Sequence, residues 1–229
     1  MNYHCINNLK ELEHFTNYLI SPGIQKYNKF SPKLRIGVLA SGEGTNFQVL
    51  IDLSKKNKFD IEIITLICNK KNAGCIKRAQ EFNIPYKIIN ESNFSNKNDF
   101  EDEIISNLKS NNVELVVMAG WMKIVSEKFV NSFKNKIINI HPSLLPSYKG
   151  MSPVKDALAK KALITGCTVH FVEKEVDSGD LIIQGAVKIE SKDNLESLTK
   201  KIHSLEHKIL PQAISKAGQR IRESFMDKN

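Results

Sequence analysis

From residue 34 onward, short apolar runs alternate with segments whose apolar residues follow helical spacing. The first run, LRIGVLA at 34–40, is too short for a core helix and continuously apolar, as expected of a strand buried on both faces. Strands that alternate with helices form mostly parallel sheets through right-handed crossovers. We therefore expect an α/β fold, in which a Rossmann-like, mostly parallel twisted sheet is flanked by helices.

The same patterns place the individual elements along the chain. Strands are predicted at 34–40, 61–69, 85–89, 113–120, 136–140, 165–174 and 181–189. Helices are predicted at 46–56, 73–82, 98–108, 126–133, 153–162 and 194–217. The last two strands are joined by EVDSG, and this connection is compatible with an antiparallel C-terminal hairpin.

The chain has 229 residues and 41% hydrophobic content, which is enough for one compact domain with a sizeable core. Within it we expect a Rossmann-like phosphate-binding lobe at 33–135 and a second lobe at 136–229. Residues 1–32 are expected to be an N-terminal extension and linker. A short amphipathic helix is predicted at 8–20, followed by the linker SPGIQKYNKFSPK. The apolar positions of that helix are Leu9, Leu12, Phe15 and Leu19.

Composition disfavours several classes of protein. The chain contains no apolar run long enough to span a membrane and no secretory or transit signal, so we expect a cytoplasmic protein with no membrane partner. The cysteines show neither CxxC nor zinc-ligand spacing, which indicates reduced thiols and no metal. The net charge of +8 is carried almost entirely by lysine. Because arginine forks dominate base and phosphate recognition, we expect no nucleic-acid partner. Monomer and homodimer both stay open.

A glycine-containing turn, SGEGTN at 41–46, follows the first strand and opens the first helix. Glycines let the backbone turn tightly, Thr45 or Asn46 can cap the helix, and free N–H groups with the helix dipole form an anion site. The dinucleotide motif needs a third glycine and an acidic residue after the second strand, but this chain has Phe47 and Asn69. A phosphomonoester therefore fits better than a pyrophosphate. The alternative is a tight turn without a ligand.

Asn139 and His141 end the fifth predicted strand in INIHPSLLP. Because residues i and i+2 of a strand face the same way, the two side chains are expected to point together at a carboxyl edge of the sheet. Pro142 ends regular pairing, and the Leu145–Pro146 bond is a candidate for the cis form. An amide donor beside a protonated imidazole suits a developing oxyanion.

A carboxylate beside His141 would hold the imidazole protonated and select its tautomer. Asp177, in the loop VDSGD, is our candidate and Asp180 the second choice. The alternative is a capping histidine and an unrelated turn aspartate. His170 lies inside an apolar strand, and we interpret it as a structural histidine.

Four segments, SGEGTN, INIHPSLLP, TGCTVHFV and EVDSG, occur in order at suitable separations. Together, over about residues 34–215, they resemble the folate-dependent formyltransferase family, and within it the phosphoribosylglycinamide formyltransferases. The resemblance implies the formyltransferase fold, with residues 136–229 as the folate-binding and catalytic lobe. It further implies transfer of the formyl group of 10-formyltetrahydrofolate to the amine of N1-(5-phospho-D-ribosyl)glycinamide in de novo purine biosynthesis. Small-molecule substrates are the implied partners.

The same resemblance implies roles for individual positions. The catalytic residues would be Asn139, His141 and Asp177. The substrate-binding residues would be Gly44, Thr45 and Asn46 at the phosphate and Glu206 at the glycinamide amine. The folate site would be formed by Met122, Lys123, Ile124 and Val125, with Asn139, Lys97 and a second wall at 172–176. Lys97 stands where the family usually has an arginine.

Other functions stay open at this point. The stretch GMSPVKDAL resembles methionyl-tRNA formyltransferase, for which a further C-terminal domain of about a hundred residues is expected. Formyltetrahydrofolate hydrolase is another relative, and it is expected to carry a regulatory domain larger than 32 residues before the core. A non-enzymatic phosphate sensor would use only the glycine turn. A nucleic-acid binder would lose affinity steeply with salt.

Overall fold

The structure is a computed structural model that describes residues 18–226. Within this range, one sheet contains the strands β1 (Tyr18–Ser21), β2 (Leu34–Ala40), β3 (Ile61–Cys68), β4 (Tyr86–Ile88), β5 (Leu115–Met118), β6 (Ile137–His141), β7 (Ile164–Phe171) and β8 (Leu181–Lys188). The helices are α1 (Thr45–Lys55), α2 (Gly74–Glu81), α3 (Lys97–Ser110), α4 (Glu127–Ser132), α5 (Pro153–Ala159) and α6 (Leu195–Met226). A short 3-10 helix covers Glu91–Asn93.

The strands are arranged in the order β1-β8-β7-β6-β5-β2-β3-β4. Neighbours from β6 to β4 in this order are parallel, whereas β7, β8 and β1 are antiparallel to their neighbours. The predicted α/β fold and its antiparallel C-terminal hairpin are therefore confirmed. The boundary predicted between the two lobes, at residue 135, falls between β5 and β6. These two strands pair directly in this sheet.

Two layers of helices bury the two faces of the sheet. Consecutive strand residues point to opposite faces, so Val38 packs in one apolar cluster and Leu39 in the other. The first cluster includes residues of α1, α2 and α6, and the second includes residues of α3 and α4. Burial on both faces explains why the parallel strands read as continuous apolar runs.

The N-terminal region departs from the prediction. Residues 8–17 of the predicted helix lie outside the described residues, and residues 18–20 belong to β1, which pairs with β8. The segment predicted as a linker is packed rather than free, because the backbone N–H of Asn28 donates to Ser215 Oγ at 2.7 Å. The ring of Tyr27 stacks on Phe59 with 4.5 Å between centroids. Pairing with β8 thus overrides the helical pattern at residues 18–20, and contacts with α6 and with Phe59, just before β3, override the turn signals.

Helix α6 packs closely on the antiparallel part of the sheet. A Cβ atom at Gly185 of β8 would lie 2.7 Å from the Leu205 side chain, so glycine allows this close approach. Glu206, the next residue of α6, is 5% exposed. The helix thereby brings a carboxyl group from the end of the chain toward the glycine turn near its beginning.

Candidate active site

One cavity of about 400 Å³ lies at the carboxyl edge of the parallel strands. Its walls come from the glycine turn, the loop after β5, the end of β6, the loop between β7 and β8, and α6. Open α/β sheets bind ligands at this edge, because the loops that leave the parallel strands converge there. Most of the residues predicted for the site line this cavity: Gly44, Thr45, Asn46, Met122, Lys123, Ile124, Val125, Asn139, His141, Asp177 and Glu206.

Asn139, His141 and Asp177 come together although Asp177 lies far along the chain. The carboxylate Oδ2 of Asp177 is 3.4 Å from His141 Nδ1. His141 Nε2 lies 2.9 Å from the carbonyl oxygen of Tyr148, so both ring nitrogens face acceptors. This environment suits an imidazolium, which carries a hydrogen on each nitrogen. The Leu145–Pro146 bond in the following loop is cis, as anticipated.

The structure brings a second histidine into this cluster, and our interpretation of His170 as only structural was incomplete. In the antiparallel pairing of β6 and β7, His170 is the partner of Asn139. Its Nδ1 is 2.7 Å from the Phe171 carbonyl, and its Nε2 is 3.3 Å from Asn139 Nδ2. Nδ1 therefore carries the hydrogen that the Phe171 carbonyl accepts. Because the Asn139 amide nitrogen has two hydrogens and only one of them faces His170, Asn139 keeps an N–H for the cavity. The strand register that creates this contact is not visible in the sequence.

Asp177 lies between the two imidazoles. Its Oδ1 is 3.6 Å from His170 Nε2, and its Oδ2 accepts the Gly150 N–H at 3.0 Å. Burial alone would raise the pKa of Asp177, but the hydrogen bonds from His170 and Gly150 and the attraction of His141 outweigh it and lower the pKa. The carboxyl is thus held as an anion. Asp180 instead lies 3.5 Å from Arg220, outside the cavity lining.

The glycine turn opens α1 with Gly44 in the left-handed conformation, at φ 70°. Our expectation that Thr45 or Asn46 caps the helix was wrong, because Gly44 is the N-cap and no side chain caps the first turn. The Asn46 amide instead donates to Glu206 Oε2 at 2.8 Å. Without a side-chain cap, the first-turn N–H groups and the helix dipole are directed at the cavity.

Glu206 is a buried carboxyl with a perturbed titration. Burial raises the pKa of Glu206 to about 7, and the hydrogen bond from Asn46 only partly offsets this effect. Asn46 Oδ1 is itself buried without a hydrogen-bond partner among the described residues. This corner of the cavity therefore holds two oxygen acceptors that a ligand with hydrogen-bond donors would suit.

An apolar wall faces the polar cluster. Met122 and Ile124 are 54% and 57% exposed at this wall, and the loop is anchored where the Met122 N–H donates to Ser41 Oγ at 3.0 Å. Val172 and Val176 lie on the other side of the cavity. Exposed apolar side chains that line a cavity are typical of a flat, partly apolar ligand site.

Two residues of the cavity region differ from expectation. Lys97, which we predicted to bind the cofactor, is not part of the cavity lining; it begins α3, and its Nζ lies 3.8 Å from Glu101. His203, to which the sequence attached no role, does line the cavity, and burial lowers the pKa of its imidazole. It lies one helical turn before Glu206, and this i, i+3 spacing was the one signal available for finding it.

Within residues 18–226, no group of three His, Cys, Asp or Glu side chains is placed to hold a metal ion. The described helices include none that is long and apolar enough to cross a bilayer.

Comparison with known proteins identifies similar chains. The sequence model of the family described as formyl transferase matches residues 34–214. A phosphoribosylglycinamide formyltransferase of Bacillus subtilis is 38% identical over 180 residues, covering 79% of this chain and 92% of that protein. A trifunctional purine biosynthetic protein adenosine-3 of Chironomus tentans is 43% identical over 185 residues, but the chain spans only 14% of its length.

Solved structures agree with this result. A glycinamide ribonucleotide transformylase 1 from Symbiobacterium toebii superposes with a TM-score of 0.80 at 32% identity, covering 86% of this chain and 93% of that one. The phosphoribosylglycinamide formyltransferase from Bacillus halodurans gives a TM-score of 0.77 at 35% identity.

Proposed function

The chain belongs to the formyl transferase family, and from this premise we propose that it formylates N1-(5-phospho-D-ribosyl)glycinamide with 10-formyltetrahydrofolate in purine biosynthesis. Membership of the family implies an enzyme that uses a folate-derived formyl donor. The acceptor follows from the names of the relatives, which are phosphoribosylglycinamide formyltransferases. Small molecules are therefore the partners of the site.

One observation carries the proposal. A polar cluster suited to a carbonyl oxygen lies in the same cavity as an uncapped helix N-terminus suited to a phosphate. The acceptor has a phosphate at one end and an amine at the other, and the donor brings a formyl carbonyl on a flat apolar body. A single cavity with these features can hold both substrates.

The reaction that we assign to this geometry begins when the glycinamide amine attacks the formyl carbon. A C–N bond forms while negative charge builds on the formyl oxygen, and the bond from the formyl carbon to N10 of the folate then breaks. The free N–H of Asn139 and the imidazolium of His141 stabilise the oxyanion, and Asp177 is the counter-ion of the imidazolium. The proton that leaves the amine ends on N10 of the departing folate.

His141 must exchange a partner during this reaction. Its Nε2–H donates to the Tyr148 carbonyl, which occupies the direction that the formyl oxygen would need. Binding of the folate therefore has to displace this carbonyl. His170 acts on the reaction only through Asn139 and Asp177, so we regard it as a positioning residue.

The remaining assignments place the substrates. Gly44, Thr45 and Asn46 would hold the phosphate, and Glu206 would accept hydrogen bonds from the glycinamide end. The folate would lie against residues 122–125 and 172–176. We keep the division into a phosphate-binding lobe at 33–135 and a folate-binding and catalytic lobe at 136–229. Residues 122–125, which form one wall of the folate site, nevertheless belong to the phosphate-binding lobe.

Three predictions from the sequence stay predictions. Lys97 can meet only a part of the folate that extends beyond the cavity, since it does not line the cavity itself. A cytoplasmic location and a monomeric or homodimeric state likewise rest on the sequence.

A coupled assay tests the function. The protein is mixed with 10-formyltetrahydrofolate and either phosphoribosylglycinamide or charged initiator tRNA, and we expect product from the first acceptor only. His141→Ala and Asn139→Ala should each reduce kcat by at least about a hundredfold, because removing one oxyanion donor costs about 3 kcal/mol of barrier. Circular dichroism and thermal melting check that both variants are folded. Near-normal turnover in both folded variants would overturn the assigned mechanism. Product with charged initiator tRNA but not with phosphoribosylglycinamide would overturn the assigned acceptor.

A further inference from the structure

Two cysteines outside the catalytic cluster lie in contact below the glycine turn. Cys68 is the last residue of β3, and Cys75 lies in the first turn of α2. Both side chains are fully buried, and their sulfur atoms are 3.6 Å apart. Cys167, the other cysteine of the described residues, is also free and buried but belongs to β7. Because the pair is separated by six residues, no common redox motif marks it in the sequence.

The two thiols are chemically unequal. The S–H of Cys75 donates to the sulfur of Cys68, and the Lys70 N–H also points to that sulfur at 3.5 Å. The hydrogen bond from Cys75 lowers the pKa of Cys68 in spite of burial, and the same bond raises the pKa of Cys75. The S–H of Cys68 itself donates to the Lys70 carbonyl at 3.2 Å. Because the hydrogen bond from Cys75 stabilises negative charge on Cys68, Cys68 is the thiol of the pair that loses its proton more readily, and the thiolate is the form that attacks oxidants.

The glycine turn rests directly on Cys75. The backbone N–H of Cys75 donates to the Gly42 carbonyl at 3.1 Å. A Cβ atom at Gly44 would lie 2.6 Å from the Cβ of Cys75 and 2.9 Å from its Cα, so nothing separates the two backbones. Arg78, one turn further along α2, donates to the Glu43 carbonyl at 2.8 Å. Any displacement of the first turn of α2 is thus transmitted to the turn that opens α1.

We propose that Cys68 and Cys75 are a redox-sensitive site, whose oxidation to a disulfide weakens phosphate binding at the glycine turn. A disulfide requires the two sulfurs to approach from 3.6 Å to about 2.05 Å. Cys68 is paired within the sheet to both β2 and β4, so the movement falls on Cys75 and the first turn of α2. The backbone that supports Gly44 then shifts. This inference rests on the phosphate site of the proposed function.

A peroxide is the oxidant that the chemistry needs. The Cys68 thiolate attacks one peroxide oxygen, the O–O bond breaks, and a sulfenic acid and hydroxide form. The Cys75 sulfur then attacks the sulfenic sulfur; the S–S bond forms, the S–O bond breaks, and water leaves with the Cys75 proton. Overall, two thiols and hydrogen peroxide give one disulfide and two waters. The two sulfurs are oxidised and the peroxide is reduced.

Thermodynamic linkage adds a second expectation. If the disulfide lowers the affinity for a phosphate ligand, then a bound phosphate ligand must disfavour the disulfide by the same factor. The ligand also covers the exposed turn above Cys75. Phosphoribosylglycinamide at saturating concentration should therefore lower the fraction of protein that carries the disulfide at equilibrium with a fixed ratio of reduced to oxidised dithiothreitol.

The experiment compares the reduced and the peroxide-treated 229-residue chain. In every variant Cys5, the one cysteine outside the described residues, is replaced by serine. Tryptic mapping without reductant should link the peptide that ends at Lys70 to the peptide 72–77. The linked protein should show a KM for phosphoribosylglycinamide raised at least about tenfold, a typical coupling between sites, and dithiothreitol should restore it. Cys68→Ser and Cys75→Ser should form no link and keep their KM after peroxide. Cys167→Ser is the matched control and should respond like the unsubstituted protein.

Two results would overturn this inference. One is the absence of a 68–75 link at peroxide concentrations that already oxidise Cys167. The other is a linked protein whose KM, and whose thermal shift with inorganic phosphate, equal those of the reduced protein. Failure of the proposed function looks different, because the reduced protein would then not formylate phosphoribosylglycinamide at all. The peptide mapping and the phosphate thermal shift would still report on the cysteine pair in that case.

Discussion

Replacement of Glu206 by glutamine should make the protein's stability less dependent on pH. Glu206 is 5% exposed, and burial raises its pKa from 4.5 to about 7. The folded protein therefore keeps a proton on Glu206 up to about pH 7, whereas the unfolded chain releases it near 4.5. Since the unfolded state binds fewer protons in this window, the contribution of Glu206 to stability is fully present below pH 4.5. It is lost as the pH rises through 7.

The size of the effect follows from the difference between the two pKa values. A difference of 7 − 4.5 is 2.5 pKa units. At 1.36 kcal/mol per unit, the wild-type protein loses about 3 kcal/mol of unfolding free energy between pH 4.5 and pH 8.5 through this group. Glutamine does not ionise and can still accept the hydrogen bond of Asn46. The unfolding free energy of E206Q minus that of the wild type should therefore rise by about 3 kcal/mol across this range.

The assay is urea unfolding followed by circular dichroism, at pH 4.5 and 8.5 and constant ionic strength. Glu81→Gln, an exposed position at the end of α2, is the matched control and should show the same difference from wild type at both pH values. A stability difference between E206Q and wild type that does not change with pH would refute the reasoning, because it would mean that Glu206 titrates alike in both states. E206Q should also raise the KM for phosphoribosylglycinamide, since an NH2 donor replaces one of the two carboxyl oxygens that can accept hydrogen bonds from the glycinamide end.

Two further predictions concern the glycine turn and the catalytic carboxylate. Gly44→Ala should lower the unfolding free energy by at least about 2 kcal/mol, because it combines a left-handed φ with a Cβ atom 2.6 Å from Cys75 Cβ. Gly42→Ala, whose Cβ would meet nothing within 4 Å, should change it little, and equal urea midpoints for the two variants would contradict this. Asp177→Asn should reduce kcat by between about a hundredfold and ten-thousandfold in steady-state assays, because the anion between two imidazoles is lost. Asp180→Asn, at a largely exposed carboxyl, should keep kcat, and similar losses in both would remove Asp177 from its role.

Much of the fold was predictable because its strands are marked by local composition. The predicted strand at 34–40 agrees with β2, and the strand predicted at 181–189 differs from β8 by one residue. In contrast, β1 could not be predicted, since its four residues become a strand only by pairing with β8. A short edge segment has no pattern of its own, and long-range packing decides its conformation.

The residues of the site likewise divide into those that local sequence patterns predict and those that only long-range packing positions. Asn139 and His141 share a face because strand periodicity is a local property, and both line the cavity. His170 joins them only through the antiparallel register of β6 and β7. Lys97 lies outside the cavity lining because α3 begins there and its side chain turns toward Glu101.

The sequence by itself determined the alternation of strands and helices, the glycine turn and the pairing of an amide with an imidazole, because each depends on neighbouring residues. Only the tertiary structure decided that Asp177 lies between two histidines, that Glu206 is buried against Asn46, and that Cys68 touches Cys75 below the turn. These contacts join residues from different strands, helices and loops. Their distances and their burial depend on how the helices and strands pack, which no local pattern records.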